Sequence, residues 1–154
     1  MTIYITLEQA LATHRSTIEH SGGGDCSDIN IGYLESALEM VQNDDYYPSF
    51  KDKLVHLVWS VNRNHSFSDG NKRLSITIGV LFLSLNGYLY CIKRFLSEME
   101  NISYHLAAGR IEKELLDKLI SSILDGEEDF NEQVKMELFL SLIHISEPTR
   151  LGMI

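Results

Sequence analysis

A chain of 154 residues, 44% hydrophobic and 23% charged, has the size and balance of one globular domain with its own core, which excludes wholesale disorder, collagen-like repeats and low-complexity sequence. Thirteen Lys and Arg against 22 Asp and Glu give a formal charge of -9, the wrong sign for gripping a phosphate backbone, so no direct nucleic-acid partner is expected. Cys26 and Cys91 stand far apart with no CxxC spacing, the first residues lack a basic n-region, and no apolar run reaches membrane-spanning length; free thiols, a cytoplasmic location and no membrane partner are expected.

Thr6-Leu7-Glu8-Gln9 has the form of a capping box and opens a helix running to about His20, which Ser21-Gly22-Gly23-Gly24 ends. A second helix is predicted to carry Tyr33, Leu34, Ala37, Leu38 and Val41 on one face. Asn43 to Pro48 breaks the pattern, with a short extended pair expected near Asp44 to Tyr47. Ser49 caps a third helix with a stripe of Phe50, Leu54, Leu57, Val58 and Val61. After a polar loop, a fourth helix from about Asn71 to Leu85 is apolar nearly all round and reads as the central helix, with Asn86-Gly87 as its C-terminal signal. Helices at Glu98 to Ala108 and Glu112 to Leu124 follow, separated by Gly109 and ended near Gly126. The fold class is therefore all-α, a single-domain bundle of six or seven helices around a central apolar helix.

The domain is placed at residues 1–126, with a C-terminal extension at 127–139. Leu140 to Arg150 resembles, letter for letter, the translation of a transposase-based sequencing adapter, so residues 140–154 are read as non-native and the native end as missing. The alternative is an ordinary amphipathic C-terminal helix.

The chemistry concentrates in His65-Ser66-Phe67-Ser68-Asp69-Gly70-Asn71-Lys72-Arg73, between two apolar helices. Gly70 to Arg73 fall at the first turn of the fourth helix, where unpaired N–H groups and the positive dipole end favour an anion, and Lys72 and Arg73 add fixed charge. His65 has a side chain suited to general-base work near neutral pH, and Asp69 offers a hard oxygen to Mg²⁺. Each residue also has a plain local role: Asp69 as a cap, Asn71 as a turn former, Lys72 and Arg73 as a solvated pair. Residues 51–73 hold five cations against two anions, which on an acidic chain favours an anionic ligand. His14, His20, His56 and His105 read as surface or satisfied core residues, and Tyr46 and Tyr47 as either core aromatics or a flap that positions a target segment.

This segment resembles the signature of the Fic/Doc family, roughly H-x-F-x-[DE]-[AG]-N-x-R, and matches all six restricted positions. His14 to Gly24, Leu34 to Leu38, Tyr47-Pro48, Lys53, Phe82-Leu83 and Asn86-Gly87-Tyr88 resemble the death-on-curing (Doc) branch in order and spacing. Asp25-Cys26-Ser27-Asp28 departs from the Gly-Ile-Arg-Asp type of segment common there. The resemblance implies the Fic fold, with His65 as the base that deprotonates a target hydroxyl, Asp69 as Mg²⁺ ligand, Gly70, Asn71, Lys72 and Arg73 as binders of ATP phosphates, and Phe67 as the loop's buried anchor. Larger Fic members have glycine at the Lys72 position and typically transfer AMP. The Doc lysine implies a reversed nucleotide and transfer of the γ-phosphate to a protein, by analogy elongation factor Tu. It also implies a small antitoxin partner, because the inhibitory pattern [ST]-x-x-x-E-[GN] is missing, Leu96 standing where the hydroxyl belongs. The competing readings are AMP transfer by the same residues and a catalytically weak peptide-binding adaptor.

Overall fold

In the computed structural model, which describes residues 1–20, 31–63 and 71–146, the capping box at Thr6 is formed in both directions. Gln9 N–H donates to Thr6 Oγ1 at 3.1 Å and Thr6 N–H to Gln9 Oε1 at 2.9 Å, launching α1 (Leu7–His20). The helices α2 (Ile31–Met40), α3 (Phe50–Arg63), α4 (Asn71–Leu85), α5 (Ile92–Ala107), α6 (Lys113–Leu124) and α7 (Glu132–Ser146) follow, with one 3-10 turn at Leu89–Cys91. The all-α expectation holds: seven α-helices and no strand occur among the described residues.

Ser49 caps α3 reciprocally, its Oγ accepting from Asp52 N–H at 3.1 Å while its own N–H reaches the Asp52 carboxylate. The other end of α4 closes in a Schellman turn: Gly87 takes φ 82° and Tyr88 N–H donates to Leu83 O at 2.9 Å. Asn86 then clasps the chain start, its amide bonding both Ile3 N–H and Ile3 O.

The α4 helix lies against α1, α3 and α5 as the central apolar element, and α3 shares that position, packing on α2, α4, α5 and α6. Every α3 residue from Lys53 to Val58 is buried. A helix with polar residues can occupy the centre because those residues are partnered: Lys53 Nζ donates to Val41 O at 2.8 Å and pairs with Asp44 at 2.7 Å. Where α4 crosses α5, Gly79 leaves room for Phe95; a Cβ there would stand 2.5 Å from the Phe95 ring.

Three details differ from the sequence reading. Tyr33 is 53% exposed, since the buried face of α2 takes only Leu34, Ala37 and Leu38, with Val41 buried just past the helix end. Asp44 to Tyr47 forms turns instead of an extended pair, because Asn43 Oδ1 accepts from Asp45 N–H at 2.9 Å and Asn43 O from Tyr47 N–H at 2.9 Å. The α5 helix begins at Ile92, ahead of Glu98, and Phe95, Met99, Ile102 and Leu106 supply its buried stripe.

The α7 helix runs unbroken through position 140, and several contacts before that point seat it. Phe130 and Val134 are buried, Leu138 packs on the core, and Lys118 pairs with Glu137 at 2.7 Å. Met136, Phe139, Leu140 and Ile143 are exposed. A chain ended at Phe139 is therefore expected to keep its melting temperature within about 2 °C, since surface changes cost under about 0.5 kcal/mol; a large drop in a thermal melt would show that residues 140–146 pack.

Candidate active site

The C-terminal ends of α3 and α5 and the N-terminal end of α4 meet through one buried side chain. Asn62, 2% exposed, donates to Ser103 O at 3.1 Å and lies 3.5 Å from Ser75 Oγ, which itself donates to Lys72 O at 2.7 Å. The polar knot ties the last turn of α3 to the first turns of α4, on either side of the motif loop.

Of the residues the motif singles out, His65, Phe67, Asp69 and Gly70 lie outside the described residues. Asn71 opens α4, and Lys72 and Arg73 follow in its exposed first turn. Neither Lys72 nor Arg73 forms an ion pair among the described residues. The Lys72 ammonium instead sits 5.3 Å from the ring centroid of Tyr104 on α5. Exposed cations in the first turn of a helix, without a carboxylate partner among the described residues, suit polyphosphate oxygens, so the donor chemistry present fits ATP. The Mg²⁺ ligand that the motif names, Asp69, is not among the described residues.

A second polar cluster sits midway along α3. His56 is 8% exposed, with Nδ1 3.0 Å from Lys113 Nζ and Nε2 3.1 Å from Ser60 Oγ and 3.5 Å from the Tyr47 hydroxyl. A Lys ammonium only donates, so Nδ1 accepts and the proton of the neutral ring is on Nε2. Burial, then the Lys113 charge, push the His56 pKa from 6.5 down to about 4. His56 is thus a satisfied interior group, one of the readings left open for it, while Tyr47 is half-buried and Tyr46 is 76% exposed.

The His56 shift fixes a sign. The folded state refuses a proton that the unfolded chain takes, so His56 favours folding fully above pH 6.5 and loses that contribution as pH falls from 6.5 towards 4. The size is about 1–3 kcal/mol after allowing for screening. Melting temperature against pH is expected to fall less steeply over this window in His56→Gln than in the unmutated chain, and parallel curves would refute it.

With the arrangement in view, comparison with known proteins decides the lineage. A model described as the Fic/DOC family matches residues 4–83. The chain belongs to the Fic/DOC family. It is also 33% identical over 91 residues to Toxin Doc of Mycolicibacterium smegmatis (strain ATCC 700084 / mc(2)155), an alignment spanning 56% of this chain and 67% of that protein. The Fic/DOC match runs from the segment before α1 almost to the end of α4, so it takes in the motif loop and the helix that follows it. Asn62, Ser75, Ser103 and Tyr104 were not singled out from the sequence. Asn62 stands at the end of α3 among other polar residues with no local mark of its role, and nothing local connects Tyr104 with a motif some thirty residues earlier.

Proposed function

We propose that this Fic/DOC chain is a Doc-like toxin that transfers the γ-phosphate of ATP to a hydroxyl of a protein target, a translation factor such as elongation factor Tu by analogy, and so blocks translation in the cytoplasm. Lys72 carries the reading: a lysine stands in the exposed first turn of α4 where AMP-transferring members have glycine. Likeness to a protein named Toxin Doc supports the same branch, and a small antitoxin protein would hold the toxin in check.

In this reading Gly70, Asn71, Lys72 and Arg73 hold the phosphates, through backbone N–H groups and two cations. His65 takes the proton of the target hydroxyl at a ring nitrogen as that oxygen bonds to the γ-phosphorus. The bond from this phosphorus to the β–γ bridging oxygen breaks, and its electron pair leaves with ADP. Asp69 would hold Mg²⁺, which would supply neutralisation of the polyphosphate charge.

Intact-protein mass spectrometry of elongation factor Tu incubated with the chain and Mg-ATP tests this. The expected result is the mass of one added phosphate, with ADP released. Added AMP with pyrophosphate released would make the chain an AMP transferase, and ATP binding without any transfer would leave the adaptor.

A further inference from the structure

Beside Lys72, a third cation comes from a part of the chain far outside the motif. Gly109, at φ 78°, turns the backbone after α5, and Arg110 N–H bonds His105 O at 2.9 Å, which fixes the start of the Arg110 side chain. The guanidinium lies 5.8 Å from the Tyr104 ring centroid, the same ring that holds the Lys72 ammonium. Its Nη1 donates to His105 Nδ1 at 3.2 Å, so His105 is neutral here, and burial followed by the Arg110 charge keeps its pKa below the ordinary value. Arg110 is half-buried and has no carboxylate partner among the described residues.

An arginine with no carboxylate beside it keeps a full positive charge that favours an anionic partner. Among the described residues its hydrogen-bond partner is a neutral imidazole, which orients the fork without neutralising it, and this leaves an edge that suits an anion. On a chain of net charge -9, two cations gathered on one aromatic ring next to the anion-favouring end of α4 form a local field of opposite sign. We infer that Arg110 is a further phosphate-binding residue, reaching the polyphosphate of the bound nucleotide alongside Lys72, with Tyr104 as the ring that positions both cations. The inference rests on the nucleotide-binding reading above and assigns to that site a residue which the motif does not contain. Arginine suits the task because its planar fork takes two phosphate oxygens at once.

Isothermal titration of the full chain with Mg-ATP and with tripolyphosphate tests it. Arg110→Gln is expected to weaken both by about tenfold, the scale of one charge-assisted pair, with an unchanged melting temperature. Arg110→Lys, which keeps the charge and loses the fork, is expected to fall between the two, and it carries the test should Arg110→Gln fail to fold. Unchanged affinity in a folded variant overturns the inference, as does a loss of affinity that follows a loss of melting temperature. If the unmutated chain transfers phosphate and Arg110→Gln binds ATP equally well, only the role of Arg110 falls. An unmutated chain that binds neither ligand overturns the nucleotide site with it.

Discussion

Replacing His65 with alanine is expected to lower transfer by about 10²-fold or more while leaving Mg-ATP affinity within a factor of about two. A general base acts on a proton that moves only in the transition state, so removing it affects the chemical step and spares ground-state binding. The phosphates are assigned to the first turn of α4 and its cations, at the opposite end of the motif from His65 in sequence, so nucleotide binding is expected to survive the change. The fold is insulated too, because the polar knot of Asn62, Ser75 and Ser103 ties the helix ends without using the motif loop. Single-turnover phosphate transfer and titration calorimetry on the same preparation check both halves. Full activity in a folded His65→Ala chain would remove His65 from the mechanism.

Lys72→Gly is expected to abolish phosphate transfer and to permit slow AMP addition. In the proposed reading the bulk and charge of Lys72 set the direction in which the polyphosphate lies. Removing them opens the first turn to the opposite orientation, with the α-phosphorus near the target hydroxyl. In-line transfer tolerates little error, a misplacement of about 1 Å costing roughly 10²-fold, so the gained reaction is expected to be slow. Glycine near a helix start costs at most about 1 kcal/mol, which a melting curve separates from a loss of chemistry. The Tyr104 contact adds a control. Because Tyr104 holds the ammonium, Tyr104→Ala should weaken phosphate transfer without opening the AMP route. Phosphate transfer persisting in Lys72→Gly would detach the choice of reaction from this lysine.

The legible parts of the molecule were those written in local sequence. The capping boxes at Thr6 and Ser49, the Gly87 turn and the stripe of α3 each depend on residues within one or two turns of each other, and they stand where the spacing puts them. The motif loop likewise declared itself as a contiguous string, enough to place the family that residues 4–83 match.

Tertiary structure decided what depends on residues remote in sequence. Tyr33 has helical spacing, but which side of α2 is covered depends on α3 and is not encoded in α2. Lys53 and His56 sit buried on α3 because Val41 and Asp44, and Lys113, respectively arrive to partner them, and the Asn62 amide N–H finds Ser103 O on α5. Lys72 and Arg110 are almost forty residues apart, and only the packing of α5 against α4 brings Lys72 to the Tyr104 ring that Arg110 reaches through the Gly109 turn. Periodicity and capping are short-range and appear in one sequence, whereas the pairing of a buried polar group or the convergence of two charges is fixed only once the helices have packed.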